Sequence, residues 1–144
     1  MSASLLVRHN IEVAHRLSLL PGKCEAIHGH SMWVELELTG VVDDRGLLAG
    51  LDFGGVKRAF RGYLDTEFDH RLLLNASDPL ADLAFGPGRL PGLRVCPGDP
   101  STENIAAWVG RWALEVFGAE TTGGSVVVQE THVNAATYRW EGTP

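Results

Sequence analysis

Residues 5–17, LLVRHNIEVAHRL, alternate without interruption. Leu5, Val7, His9, Ile11, Val13, His15 and Leu17 fall on one side, and Leu6, Arg8, Asn10, Glu12, Ala14 and Arg16 on the other. A period of two is that of a half-buried strand, whereas a helix would scatter these apolar residues around its circumference. The stretch HSMWVELELTG repeats the pattern, with Met32, Val34, Leu36 and Leu38 opposed to Trp33, Glu35, Glu37 and Thr39. Carried backward, the apolar parity of this second strand takes in His30 and His28. Both strands therefore place histidines on the core-facing side at one end, provided no bulge breaks the alternation. Long strands with one greasy face must be covered, and the rest of the chain supplies the cover.

Asp52 is a plausible N-cap for a helix over DFGGVKRAFRGYLDTEF, in which Val56, Ala59, Phe60, Tyr63 and Leu64 recur at helical spacing. Gly54 and Gly55 weaken its first turn. STENIAAWVGRWALEVFG predicts a second helix with Ile105, Val109, Trp112, Ala113 and Val116 as its stripe and Gly118 at its close. Between them, residues 76–100 hold five of the seven prolines and four glycines with no sustained period, which predicts a long surface loop. SVVVQET and AATYRW, joined through HVNA, predict two closing strands. The order strand, strand, helix, helix, strand, strand is α+β with antiparallel hairpins at both ends. One domain over residues 1–144 is expected.

Charge narrows the partners. Twelve basic against eighteen acidic residues leave −6, which argues against nucleic acid or an anionic membrane. MSASLLVRHNIEVAH contains no long apolar run, so neither a signal peptide nor a membrane span is expected there. A cytoplasmic location follows as an expectation, and with it free thiols at Cys24 and Cys96.

The chemistry concentrates in KCEAIHGH, residues 23–30. His28 and His30, two apart on a strand, point to one side, and His15 joins them from the neighbouring strand. Three neutral imidazoles with an open fourth position form a catalytic zinc arrangement, whereas closed structural sites usually have four protein ligands. Isolated histidines, by contrast, are mostly hydrogen-bonded core or surface residues. Cys24 lies in the loop ahead of the strand. As a fourth ligand it would close the site; left free near a cation and beside Lys23, it becomes a usable thiolate. Asp69-His70 could relay protons or sit in an exposed turn. Glu130 shares the parity of Val126 and Val128, so this carboxylate grips either a ligand rich in N–H donors or a structural partner.

Taken in order, VAHRL, KC…HGH, LDFGGVK, LDTEFDHRLLLN, PSTENIAAWV, VVVQET and TYRWEG resemble the 6-pyruvoyl-tetrahydropterin synthase / 6-carboxytetrahydropterin synthase family over nearly the whole chain. The resemblance implies the tunnelling fold, with ββααββ subunits joining their sheets into a barrel, commonly as a homohexamer with sites at subunit interfaces. It implies Zn2+ on His15, His28 and His30, and Cys24 as catalytic base. Asp69 and His70 become the partner acid/base, delivered from a neighbouring subunit. Glu130 is implied to hold the pterin, helped by Thr131 and by Ser101, Thr102 and Glu103.

Three residues separate Cys24 from His28, and that C-x3-H-G-H spacing resembles the carboxytetrahydropterin branch of deazapurine and queuosine biosynthesis. The pyruvoyl branch typically has a longer gap. The expected activity is therefore a 6-carboxytetrahydropterin synthase acting on 7,8-dihydroneopterin triphosphate. The alternatives are the pyruvoyl reaction, or a zinc- and pterin-binding homologue without efficient turnover. IEVAH, the 76–100 loop and HVNAA depart from the family pattern at positions that line or flank the pocket.

Overall fold

The two alternating stretches form the backbone of the sheet. A computed structural model describes residues 1–142, so the last two residues of the expected domain lie outside the described residues. Strand β1, Ser2–His15, pairs antiparallel with β2, His28–Val41, in one unbroken register from Ser2 opposite Val41 to His15 opposite His28. No bulge interrupts the parity that carries the histidines. Beyond β2, strand β5 (Gly123–Gln129) and then β6 (Ala135–Glu141) extend the sheet antiparallel.

Two short strands were not anticipated. β3, Leu72–Asn75, lies parallel to β1, and β4, Leu93–Cys96, lies parallel to β3. The sheet is therefore mixed, in the order β4-β3-β1-β2-β5-β6, rather than antiparallel throughout. Leu73 and Leu74 are both buried, so β3 shows no alternation to read. The 76–100 segment is accordingly not structureless: besides β4 it holds a 3-10 turn at Pro79–Ala84, capped by Asp78. Strand ends also shift. β1 stops at His15, two residues short of the expected Leu17, because the Leu17 N–H is taken by the Cys24 carbonyl. β5 stops at Gln129 because the Glu130 and Thr131 N–H groups turn to the Asn134 carbonyl.

Both helices form where expected. α1 spans Phe53–Glu67 with Asp52 accepting the Gly55 N–H, and α2 spans Thr102–Phe117 with Ser101 accepting that of Asn104. Val56, Phe60 and Leu64 of α1 and Ile105, Val109 and Ala113 of α2 join one core with Ile11, Met32, Val34, Leu36, Val126 and Val128. All of those strand residues share one parity, so both helices cover a single sheet face. Each fully buried side chain of this size contributes about 1.5–3 kcal/mol. The Tyr63 and Trp112 rings stack at 4.3 Å where the helices meet. Gly110 lets α2 approach β6, since a Cβ there would run into the Tyr138 ring.

The opposite sheet face carries Arg8, Trp33, Glu35, Glu37, Ser125 and Arg139, with the Arg8 guanidinium 4.8 Å above Trp33 and 3.4 Å from Glu35. Among the described residues no helix is long and apolar enough to cross a membrane.

Candidate metal centre and catalytic pocket

The β1–β2 register sets His15 directly opposite His28, and His30 follows on the same face. The three ring centroids stand 4.6, 5.1 and 5.0 Å apart, and one ligand atom from each ring lies within 4.8 Å of the others. Backbone carbonyls decide which nitrogens face inward. His15 Nδ1 donates to the Pro100 carbonyl at 2.7 Å, and His28 Nδ1 donates to that of Ala26 at 2.7 Å. A carbonyl only accepts, so both Nδ1 atoms carry hydrogen and, in the neutral rings, both Nε2 atoms present lone pairs. Those two Nε2 atoms face each other at 3.1 Å. Two lone pairs so placed repel unless a proton or a cation lies between them. His30 Nε2 is also buried and makes no hydrogen bond among the described residues.

Burial, reinforced by the neighbouring His28 and His30, pushes the His15 imidazolium below its ordinary range, although the Pro100 carbonyl and Glu130 oppose this. A neutral set of this kind suits a borderline divalent ion such as zinc, with hydrogen-bonded carbonyls fixing the tautomers. Glu130 stands beside it: Oε1 is 3.6 Å from His15 Nε2 and 3.7 Å from His30 Nε2, and accepts the Thr102 hydroxyl at 2.9 Å.

Cys24 lies outside the three-histidine set. It sits half-buried in a one-turn 3-10 segment, Lys23–Glu25, and lines a cavity of about 480 Å³ together with Thr102, Glu103, Glu130, Ser101 and Val133. Cys96 is buried in the core, where burial raises its thiol pKa. Ser101 is occupied as the α2 cap.

Asp69 and His70 form a pair of their own just after α1. Asp69 Oδ1 accepts the Glu12 N–H at 2.8 Å and Oδ2 accepts His70 Nδ1–H at 2.8 Å. Burial pushes the Asp69 carboxyl up, but these bonds outweigh it and hold the group below the ordinary carboxylate range. His70 adopts φ 57°, in the left-handed region, and its side chain is 78% exposed. It lines a different cleft of the same chain, shared with Glu12, Gly29 and His30. Thr131 turns away from the Cys24 cavity; its hydroxyl accepts the N–H groups of Val133 and Asn134, and it borders a cleft with Arg8 and Trp33.

Three contributors escaped the sequence reading. The Pro100 and Ala26 carbonyls are main-chain groups and leave no residue-type signal. The third is Asp99, whose carboxylate binds the loop after β1; only its place beside Pro100 at the start of α2 hinted at a role.

The chain matches the profile of the 6-pyruvoyl tetrahydropterin synthase family over residues 4–141. It is 31% identical over 121 residues to the probable 6-carboxy-5,6,7,8-tetrahydropterin synthase of Halobacterium salinarum, covering 84% of this chain and 76% of the relative. The Rickettsia bellii 6-carboxy-5,6,7,8-tetrahydropterin synthase is 28% identical over 100 residues, 69% of this chain and 71% of the relative. Among solved structures, the Plasmodium vivax 6-pyruvoyl tetrahydropterin synthase superposes with a TM-score of 0.76 at 20% identity, over 98% of this chain and 99% of that one. The Caenorhabditis elegans 6-pyruvoyl tetrahydropterin synthase gives 0.70 at 22% identity, over 99% and 97%.

Proposed function

The chain belongs to the 6-pyruvoyl tetrahydropterin synthase family and has its tunnelling fold, and on that premise we propose a zinc-dependent 6-carboxy-5,6,7,8-tetrahydropterin synthase. Its substrate is 7,8-dihydroneopterin triphosphate, in a cytoplasmic pathway of the deazapurine and queuosine type. One observation carries the reading: two Nε2 lone pairs 3.1 Å apart and a third, orphaned Nε2 lie beside the carboxylate of Glu130, which lines the same cavity as Cys24. The three-residue gap between Cys24 and His28 and the names of the relatives favour the carboxy branch over the pyruvoyl branch.

His15, His28 and His30 would hold the zinc, which when bound supplies Lewis acidity toward the hydroxyls of the substrate side chain. The chain's own groups do the rest. Glu130 offers Oε2 to the pterin's N–H edge, since Oε1 takes the Thr102 hydroxyl. The Cys24 thiolate takes a proton from a side-chain carbon or oxygen. His70, held by Asp69, returns one. Within a single chain His70 opens on another cleft than Cys24, so the pair acts on a neighbouring subunit's site, in a homohexamer whose sites lie between subunits.

Incubating the zinc-loaded protein with 7,8-dihydroneopterin triphosphate tests this. Carboxytetrahydropterin, acetaldehyde and inorganic triphosphate are the expected products, with one water consumed. Pyruvoyl-tetrahydropterin would transfer the protein to the other branch, and bound pterin without turnover would leave a non-catalytic homologue.

A further inference from the structure

Residues 16–27, the loop that carries Cys24, contain no buried residue. Leu19 and Leu20 are 73% and 52% exposed, so apolar packing does not hold this loop in place. Hydrogen bonds do: Arg16 binds Asp78 at 2.7 Å where the loop begins, and the bonds from Ser18 and Leu19 converge on one side chain. Asp99 Oδ1 accepts the Ser18 N–H at 3.2 Å, the Ser18 hydroxyl at 2.9 Å and the Asn75 side-chain amide at 2.9 Å. Asp99 Oδ2 accepts the Leu19 N–H at 2.9 Å. One residue earlier, the Leu17 N–H donates to the Cys24 carbonyl at 2.8 Å. The main chain of Asp99 faces the other way. Its carbonyl accepts from the Ser101 N–H and the Asn104 amide, both at 2.8 Å, and the next carbonyl, Pro100, fixes His15.

From this convergence we infer that Asp99 is the positioning residue that sets where the Cys24 thiol stands relative to the three imidazoles. Its carboxylate ties down the thiol's loop, and the peptide that follows it orients a ligand. The role rests on the reading of Cys24 as the base. Each Asp99 carboxylate oxygen faces at least one N–H group, which can only donate, so an amide cannot replace it: Asn would turn its NH2 toward a donor and forfeit at least one bond. A displacement of about 1 Å at such a site costs on the order of 100-fold in rate.

The test uses full-length zinc-loaded protein and the variants Asp99→Asn, Asp99→Ala and Ser18→Ala. In the wild type, the Leu17 and Leu19 amides are expected to be protected from hydrogen exchange despite lying in an exposed loop. Exchange at free-loop rates would overturn the inference without any variant. In Asp99→Asn, these two amides are expected to exchange about tenfold faster while those of β1 and β2 are unchanged. Iodoacetamide is expected to alkylate Cys24 at a rate altered about tenfold, since the loop then samples other positions. Buried Cys96 serves as the silent internal control. With 7,8-dihydroneopterin triphosphate, kcat is expected to fall about 10–100-fold with KM and zinc content held. Should Asp99→Ala fail to fold, Ser18→Ala, which removes one bond, is expected to give a smaller change of the same kind. Unchanged alkylation in both Asp99→Asn and Ser18→Ala, or activity lost only in proportion to zinc, would sink the inference. The thiol and exchange measurements need no substrate, so they decide even if the pterin reaction is misassigned.

Discussion

Among the residues, the division between His15, His28 and His30 on one side and Cys24 on the other carries the most chemistry. Strand parity alone placed the three imidazoles together, because residues two apart on a strand share a face whatever surrounds them. Cys24→Ala is expected to lower turnover by about 10²–10⁴-fold, the usual yield of a general base, with metal content unchanged. Loss of zinc from that variant, by elemental analysis, would make Cys24 a ligand. Less was legible in the partners. The Pro100 carbonyl reaches His15 across 85 positions, and Asp99 reaches Ser18 across 81. Nothing short of the folded chain relates such residues.

At the level of elements, legibility followed length. Fourteen-residue strands and helices of fifteen and sixteen residues declare a period. The four-residue strands β3 and β4 do not, and their existence depends on the neighbour they pair with. The proline-rich segment between the helices read as a plain loop, yet its fully buried Asp78 side chain binds Arg16 at 2.7 Å and caps a turn. The seat of α2 on β6 yields a prediction at this scale. Alanine is about 1 kcal/mol better than glycine in a helix. Gly110→Ala is nonetheless expected to destabilise, because the new Cβ would stand 3.1 Å from even the Cγ of Tyr138, at the base of the ring. Overpacking of this kind costs about 1–3 kcal/mol, readable as a lower urea midpoint. An unchanged or higher midpoint would mean that α2 slides on β6 at little cost.

For the whole molecule, the helix-free sheet face bears on the proposed assembly. Leu6 and Trp33 on that face are 45% and 44% exposed, amid the charged groups of Arg8, Glu35 and Arg139. In the proposed barrel, closing several sheets would turn this face inward and remove the free edges of β4 and β6. Sedimentation equilibrium is expected to give six times the 15.6 kDa chain mass, with a melting temperature that rises with protein concentration. A monomer mass at every concentration would refute the assembly and leave His70 without a site to serve. The three clustered histidines occupy strand positions, whereas Cys24, Asp99, Glu130 and His70 all sit in loops or turns. Inheritance can treat the two sets differently. The strands tolerate few exchanges and keep the three imidazoles together, while loops accept insertions and substitutions freely. A lineage built on this plan can trade one reaction for another by editing loops, with its histidine cluster passed on intact.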